Sequence, residues 1–233
     1  MNPLRRTAFI AGWLWLATFV TSIVAYFVCY KTVLDDPGLI TAASDPTSKV
    51  ALGAVLEILL IIANVGTAVV FFPILRRLSE AGAIGYVGAR IVECIFIAIG
   101  LIAMLTFLLM WQEGTGTADS GETLVAIYYR AFLVGPGFFA GFGNGLLLGW
   151  LMYRSGLVPR GMAMLGLIGG PLIMASGVAI MFDLAERGGA LQAIATIPEF
   201  LWELSLGVYL VVKGFKPAPI TAGLESSATP ATL

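Results

Sequence analysis

Six apolar stretches of about twenty or more residues follow one another along the chain and leave little room for anything else. A helix needs about 20 residues, at about 1.5 Å of rise each, to cross about 30 Å of hydrocarbon. The stretches lie at about 7–30, 49–75, 83–111, 124–153, 161–182 and 191–212. They predict an all-α, polytopic membrane helix bundle of six transmembrane helices spanning 1–216. The connections are too short to hold a separate soluble domain. The first stretch follows Arg5 and Arg6, as a signal peptide would, but it is too long for a signal core and no small-residue cleavage site follows it. It reads as a retained helix. The tail at 217–233 is rich in Ala, Thr, Ser and Pro and reads as a disordered cytoplasmic extension.

The loops set the expected orientation. Arg5, Arg6, Arg76, Arg77, Arg154, Arg160, Lys213 and Lys216 would share one side. Only Lys31, Lys49 and Arg187 would lie on the other, among acidic residues. The excess of Lys and Arg puts both termini in the cytoplasm of a bacterial cytoplasmic membrane. The expected surroundings are therefore the lipid bilayer, and a net charge of −1 gives no case for nucleic acid. Oligomeric state is not readable.

The chain has no histidine, which removes the commonest metal ligand and the usual neutral-pH proton shuttle. Cys29 and Cys94 fall near opposite ends of their segments, which argues against a disulfide, and two thiols alone make no zinc site. No metal, cofactor or catalytic residue is expected.

Against this apolar background, Glu57, Arg90, Glu93, Arg130, Glu199 and Glu203 lie inside the spans. A charge at bilayer depth costs about 2.5–3.5 kcal/mol on insertion scales, so such residues face protein or water and have partners. Depth sorts them into an outer layer of Glu57, Arg130 and Glu199 and an inner layer of Arg90, Glu93 and Glu203. Glu199 and Glu203 share a helix face at i,i+4, Arg90 and Glu93 at i,i+3, and Asn64 extends the face of Glu57 inward. Spans two, three, four and six each carry a polar stripe, so spans one and five are expected outside, toward lipid. Four Glu against two Arg leave two negative charges to neutralise, by a proton shared between Glu199 and Glu203 or by a bound cation. Glu57, Asn64, Arg90, Glu93, Arg130, Glu199 and Glu203 are thus the candidate ligand or ion site.

Gly137, Gly141, Gly145 and Gly149 make a ridge for close helix packing in span four, below a break at Gly135 and Pro136. Gly166 and Gly170, before Pro171, repeat it weakly in span five. Trp111, Tyr128, Tyr129, Trp150 and Tyr153 read as interfacial aromatics, and Trp202 as a deep packing residue or a cation contact.

Several runs resemble a family of multi-pass bacterial membrane proteins known only as a domain of unknown function, number 4386. They are Glu57 with Asn64 and Gly66; Phe72-Pro73 before Leu75, Arg76 and Arg77; Gly85-Tyr86 with Arg90 and Glu93; and Tyr153 to Arg160. Pro198-Glu199, Glu203, Ser205-Leu206-Gly207 and Lys213-Gly214-Phe215 complete the set. The resemblance implies a membrane protein and no particular activity.

Three functions remain open on the residues. The preferred one is transporter-like handling of a small ligand, cation or proton at the Glu/Arg cluster. The alternatives are a structural or partner-binding protein whose cluster only stabilises the bundle, and an intramembrane enzyme acting on lipid with Glu199 and Glu203 as acid and base.

Overall fold

A computed structural model describes residues 2–42 and 45–222. Among these the chain is helical and without strands. Six helices are long and apolar enough to cross a membrane: α1 (Pro3–Asp35), α2 (Thr47–Leu75), α3 (Glu80–Gln112), α4 (Ala118–Ser155), α5 (Arg160–Met181) and α6 (Ala190–Val212).

Local chemistry sets their ends. Asn2 caps α1 ahead of Pro3, and the Ser79 hydroxyl accepts from the Gly82 amide at the start of α3. A reciprocal box between Thr117 and Ser120 starts α4 at Ala118, ahead of the apolar run at 124. Gly156, at φ 71°, ends α4 in the left-handed conformation, and Pro159 precedes α5. Two helices are locally wider than α. The segment Ala25–Tyr30 of α1 is π-helical, as are Gly135–Phe139 and Gly141–Leu148 of α4. Such widening often accompanies functional sites.

Each helix packs on the next in sequence, and α6 closes the ring against α1. Arg5 of α1 locks that closure by donating to the last carbonyls of α6: Leu210 at 2.9 Å, Val211 at 2.6 Å and Val212 at 3.2 Å. A cation there also opposes the negative end of the helix dipole. The start of α1 and the end of α6 therefore share one face of the bundle. The Lys216 amide donates to the Leu157 carbonyl at 2.8 Å, so the turn between α4 and α5 lies on this face too.

Two expectations change here. Spans one and five do not sit outside the polar cluster. Trp15 of α1 is fully buried, and Gly166, Gly169 and Gly170 of α5 receive Trp202, Glu199 and α4. Their small or uncharged residues are what other helices pack upon, so lack of charge marks close approach rather than lipid exposure. Disorder was expected from 217 onward, yet Pro219–Thr221 form a 3-10 turn with Thr221 buried and the Ile220 carbonyl accepting from Arg77. The remainder of the expected tail, 223–233, lies outside the described residues.

Apolar side chains fill both ends of the bundle. Trp15, Phe71, Tyr86, Leu148 and Trp202 lie in the core toward the termini. Tyr30, Met104, Phe107 and Tyr128 lie in the core toward the opposite end. Along α2 and α3 the charged residues fall between these two cores. Large apolar side chains such as Ile62, Val69, Ile102 and Ile197 cover the outside, as lipid contact requires. Cys29 and Cys94 are both free and buried.

Candidate functional site

The polar layer has three parts around one cavity. The first joins α2 to α3. Arg90, 1% exposed, donates to Glu93 Oε2 at 2.7 Å, to Asn64 Oδ1 and to Thr67 Oγ1 at 3.5 Å. Asn64 Nδ2 closes the circuit on Glu93 Oε1 at 3.3 Å. The guanidinium carbon lies 5.2 Å from the Trp15 ring centroid, so α1 supplies a cation–π face to the same group. Arg90 is thus held inside the bundle by four partners rather than extended to the surface. One residue of α2 satisfies both members of an ion pair on α3, which fixes the register of the two helices.

The second part holds Glu57. The Tyr30 hydroxyl donates to its Oε2 at 3.2 Å and the Tyr128 hydroxyl to its Oε1 at 3.0 Å. Tyr30 belongs to the π-helical end of α1, and its ring fills the space left by the missing side chain of Gly53. Arg130, expected beside Glu57, is not there. It is exposed and lines an outer recess with Tyr129, Asp183, Glu186 and Arg187. Tyr128 faces inward, and two residues along an α-helix turn about 200° away from it. Arg130 thus shares its recess with the loop residues Asp183, Glu186 and Arg187 and not with the Glu57 layer in which it was expected.

The third part belongs to α4 and α6. Asn144 Nδ2 donates to Glu203 Oε1, and the indole of Trp202, fully buried, donates to the Asn144 carbonyl at 2.9 Å. That carbonyl lies in the π-helical segment of α4. Glu199, one turn from Glu203 and only 3% exposed, has no hydrogen-bond partner on either oxygen. It lies against Gly145 of α4 and Gly169 of α5, where an added Cβ would come within 2.6 and 2.9 Å of its Oε2. The glycine ridge is therefore the seat of a carboxyl group.

A cavity of about 160 Å³ lies among these parts. Glu57, Asn64, Arg90, Glu93, Asn144 and Glu203 line it together with Thr18, Ser22 and Tyr128. Phe19, Phe96, Phe132 and Pro136 are among the apolar residues of the wall. Among the residues of its lining, two buried atoms, Arg90 Nε and Asn144 Oδ1, have no partner. With Arg130 outside, Glu57, Glu93, Glu199 and Glu203 face one guanidinium, so the negative excess is three rather than two. Among the described residues no group of three or more His, Cys, Asp and Glu side chains is close enough to hold a metal ion.

Sequence reasoning missed Tyr30, Tyr86 and Thr67, took Tyr128 for an interfacial aromatic and left Asn144 outside the site. Spacing held some of the signal. Thr67 is i,i+3 from Asn64, and Tyr86 is i,i+4 from Arg90. The hydroxyls of Thr67 and Tyr86 lie 3.4 Å apart beneath the Arg90 cluster.

No curated protein and no solved structure matches the chain. The family model described as Domain of unknown function (DUF4386) matches residues 10–214, and the chain belongs to that family.

Proposed function

We propose that this membrane protein binds a small organic cation in the intramembrane cavity and handles it as a transporter would, with both termini in the cytoplasm. The observation that carries the reading is the charge of the wall: Glu57, Glu93 and Glu203 line the cavity against Arg90 alone. A site of low dielectric disfavours that excess unless a positive charge offsets it. Size and lining narrow the class. A cavity of about 150 Å³ in a protein interior accepts benzene, so about 160 Å³ suits a group of that bulk. The rings of Phe96, Tyr128 and Phe132 suit an alkylated or aryl ammonium, and Asn144 Oδ1 is a free acceptor for its N–H. The carboxylates are distributed around the wall rather than converging, which suits an ammonium better than a dehydrated metal ion.

The Arg90 circuit favours a scaffolding role for its own part, since Glu93 and Asn64 are already committed to each other and to Arg90. Glu57 and Glu203 then carry the binding.

Benzylammonium and neutral benzyl alcohol, nearly isosteric, separate charge from shape. A ligand at about 100 times its Kd stabilises the folded state by about 2.7 kcal/mol. Benzylammonium should therefore raise the melting temperature of the purified protein, and benzyl alcohol should raise it much less. Glu57→Gln with Glu203→Gln should remove the difference. Equal stabilisation by the two compounds, or a response that survives the double substitution, would sink the reading. A C-terminal fluorescent fusion that folds only in the cytoplasm tests the orientation, and a dark fusion overturns it.

A further inference from the structure

We propose that the cation enters the cavity in exchange for a proton that Glu199 and Glu203 hold between them when the cavity is empty. This rests on the cation reading above and adds the proton as its counter-substrate. Glu199 does not line the cavity, and nothing in the binding proposal uses it.

The geometry around Glu199 carries the inference. Both carboxyl oxygens are sealed from solvent and neither meets a donor. Gly145 and Gly169 present bare backbone to Oε2, and the Phe200 ring next to Glu199 in sequence packs on Phe19 of α1 at 5.3 Å. The ionisable groups that face it are few. On α6 there is Glu203, and across the cavity on α3 there are Arg90 and Glu93. The flanking stretches of α1, α4 and α5 offer none. Arg90 is engaged by Glu93, Asn64 and Thr67. An ionised carboxylate in such a place costs several kcal/mol, whereas the neutral acid avoids most of that cost. The pair therefore keeps one proton while the cavity is empty.

A cation entering the cavity toward Glu203 changes the balance. Its charge lies one helical turn from Glu199 and offsets what the proton offset before. The O–H bond of the Glu199 acid breaks, and the proton passes to the Glu203 carboxylate, one turn nearer the cavity. It leaves from there as hydronium to bulk water, and the cation takes its place. One positive charge enters and one leaves, so the membrane interior keeps the same net charge. The glycine ridge of α4 acquires a purpose here. It brings α5 close enough to exclude every donor that would let Glu199 ionise alone.

Tetramethylammonium titrated calorimetrically into the full-length protein, in two buffers of different protonation enthalpy, counts the protons released. Release of about one proton per cation is expected, with affinity rising about tenfold per unit between about pH 6 and 8. The direction follows from competition, since fewer protons contend for the pair as pH rises. Glu199→Gln should bind without release and with an affinity independent of pH. Glu199→Met serves if the Gln variant does not fold. Wild-type binding without release, or release that survives either substitution, overturns the exchange. If neither tetramethylammonium nor benzylammonium binds, the cation reading fails and the exchange with it. Infrared spectra tell the two failures apart. A carboxylic-acid carbonyl band at neutral pH that Glu199→Gln removes supports the stored proton by itself, and its absence from the wild type overturns that proton whatever binds.

Discussion

Asn64 is the residue through which α2 and α3 recognise each other, and Asn64→Leu tests how much that recognition stabilises the bundle. The Arg90–Glu93 ion pair lies within α3 at i,i+3, so it survives when the helices separate inside the membrane. Its 2.7 Å contact therefore adds little to helix association. Of the α2–α3 contacts that separation destroys, Asn64 makes the two to the ion pair's charged groups, one bond accepted from Arg90 and one donated to Glu93, beside the longer contacts of Thr67 with Arg90 and Tyr86. In water, hydrogen bonds to charged groups contribute about 1.5–3 kcal/mol each. Within membranes, interhelical bonds average about 0.6 kcal/mol and reach about 1.7, because the separated helices find other partners. The membrane scale applies, and two bonds give a loss of about 1–3 kcal/mol. Reversible unfolding in mixed micelles, or steric trapping in bicelles, measures it against Val65→Leu on the lipid side of the same helix. A loss no larger than that of the control would refute the reasoning, because Asn64 would then be incidental to α2–α3 packing. A loss above about 5 kcal/mol would refute the membrane scale and indicate that the ion pair falls apart without Asn64.

Three further outcomes follow from particular contacts. Tyr30→Phe combined with Tyr128→Phe leaves Glu57 without donors and should shift benzylammonium affinity at least tenfold, about 1.4 kcal/mol, in an equilibrium binding assay with little change in fold by circular dichroism. Gly145→Ala should destabilise by about 1–3 kcal/mol, because its methyl group meets Glu199 Oε2 and the Gly170 backbone; Gly88→Ala, with open space around it, should be neutral or stabilise by up to about 1 kcal/mol in the same melting assay. Arg130→Gln should change stability by less than about 0.5 kcal/mol, as an exposed substitution does, and a loss of several kcal/mol would return Arg130 to the buried network.

The pattern of what was legible follows from how helices present side chains. Spacing within one helix is rigid, so the pairings Arg90 with Glu93 and Glu199 with Glu203 were readable from residue numbers. Depth grouped Arg90, Glu93 and Glu203, which line one cavity, but the outer layer of Glu57, Arg130 and Glu199 does not assemble, because Glu199 lies against Gly145 and Gly169 and Arg130 lies outside. The face of a helix was not readable where the helix departs from α geometry or where one charged residue stands alone. The stripe of Arg130 runs back through Thr123 at i−7, an exposed residue near the helix start, and Arg130 points outward with it. Tyr30 and Asn144 lie in π-helical segments, whose phase no α-helical wheel gives. The phenols of Tyr30 and Tyr128 are ordinary aromatics in sequence and become hydrogen-bond donors only because two distant helices deliver them to one carboxylate.

By itself, then, the sequence determined the solvent and therefore the architecture. Apolar runs of this length have one stable home, and backbone hydrogen bonding there allows only helices in a bundle like this one. It also determined that charges had been placed at depth. Which charges meet was decided by tertiary structure, because an ion pair or an orphaned carboxyl is a property of two helix faces and their separation. The glycines of α4 and α5 set that separation to bare backbone contact around Glu199. The ring closure of α6 on α1 brings Trp15 over Arg90 and puts Glu203 in the wall of the same cavity as Glu57.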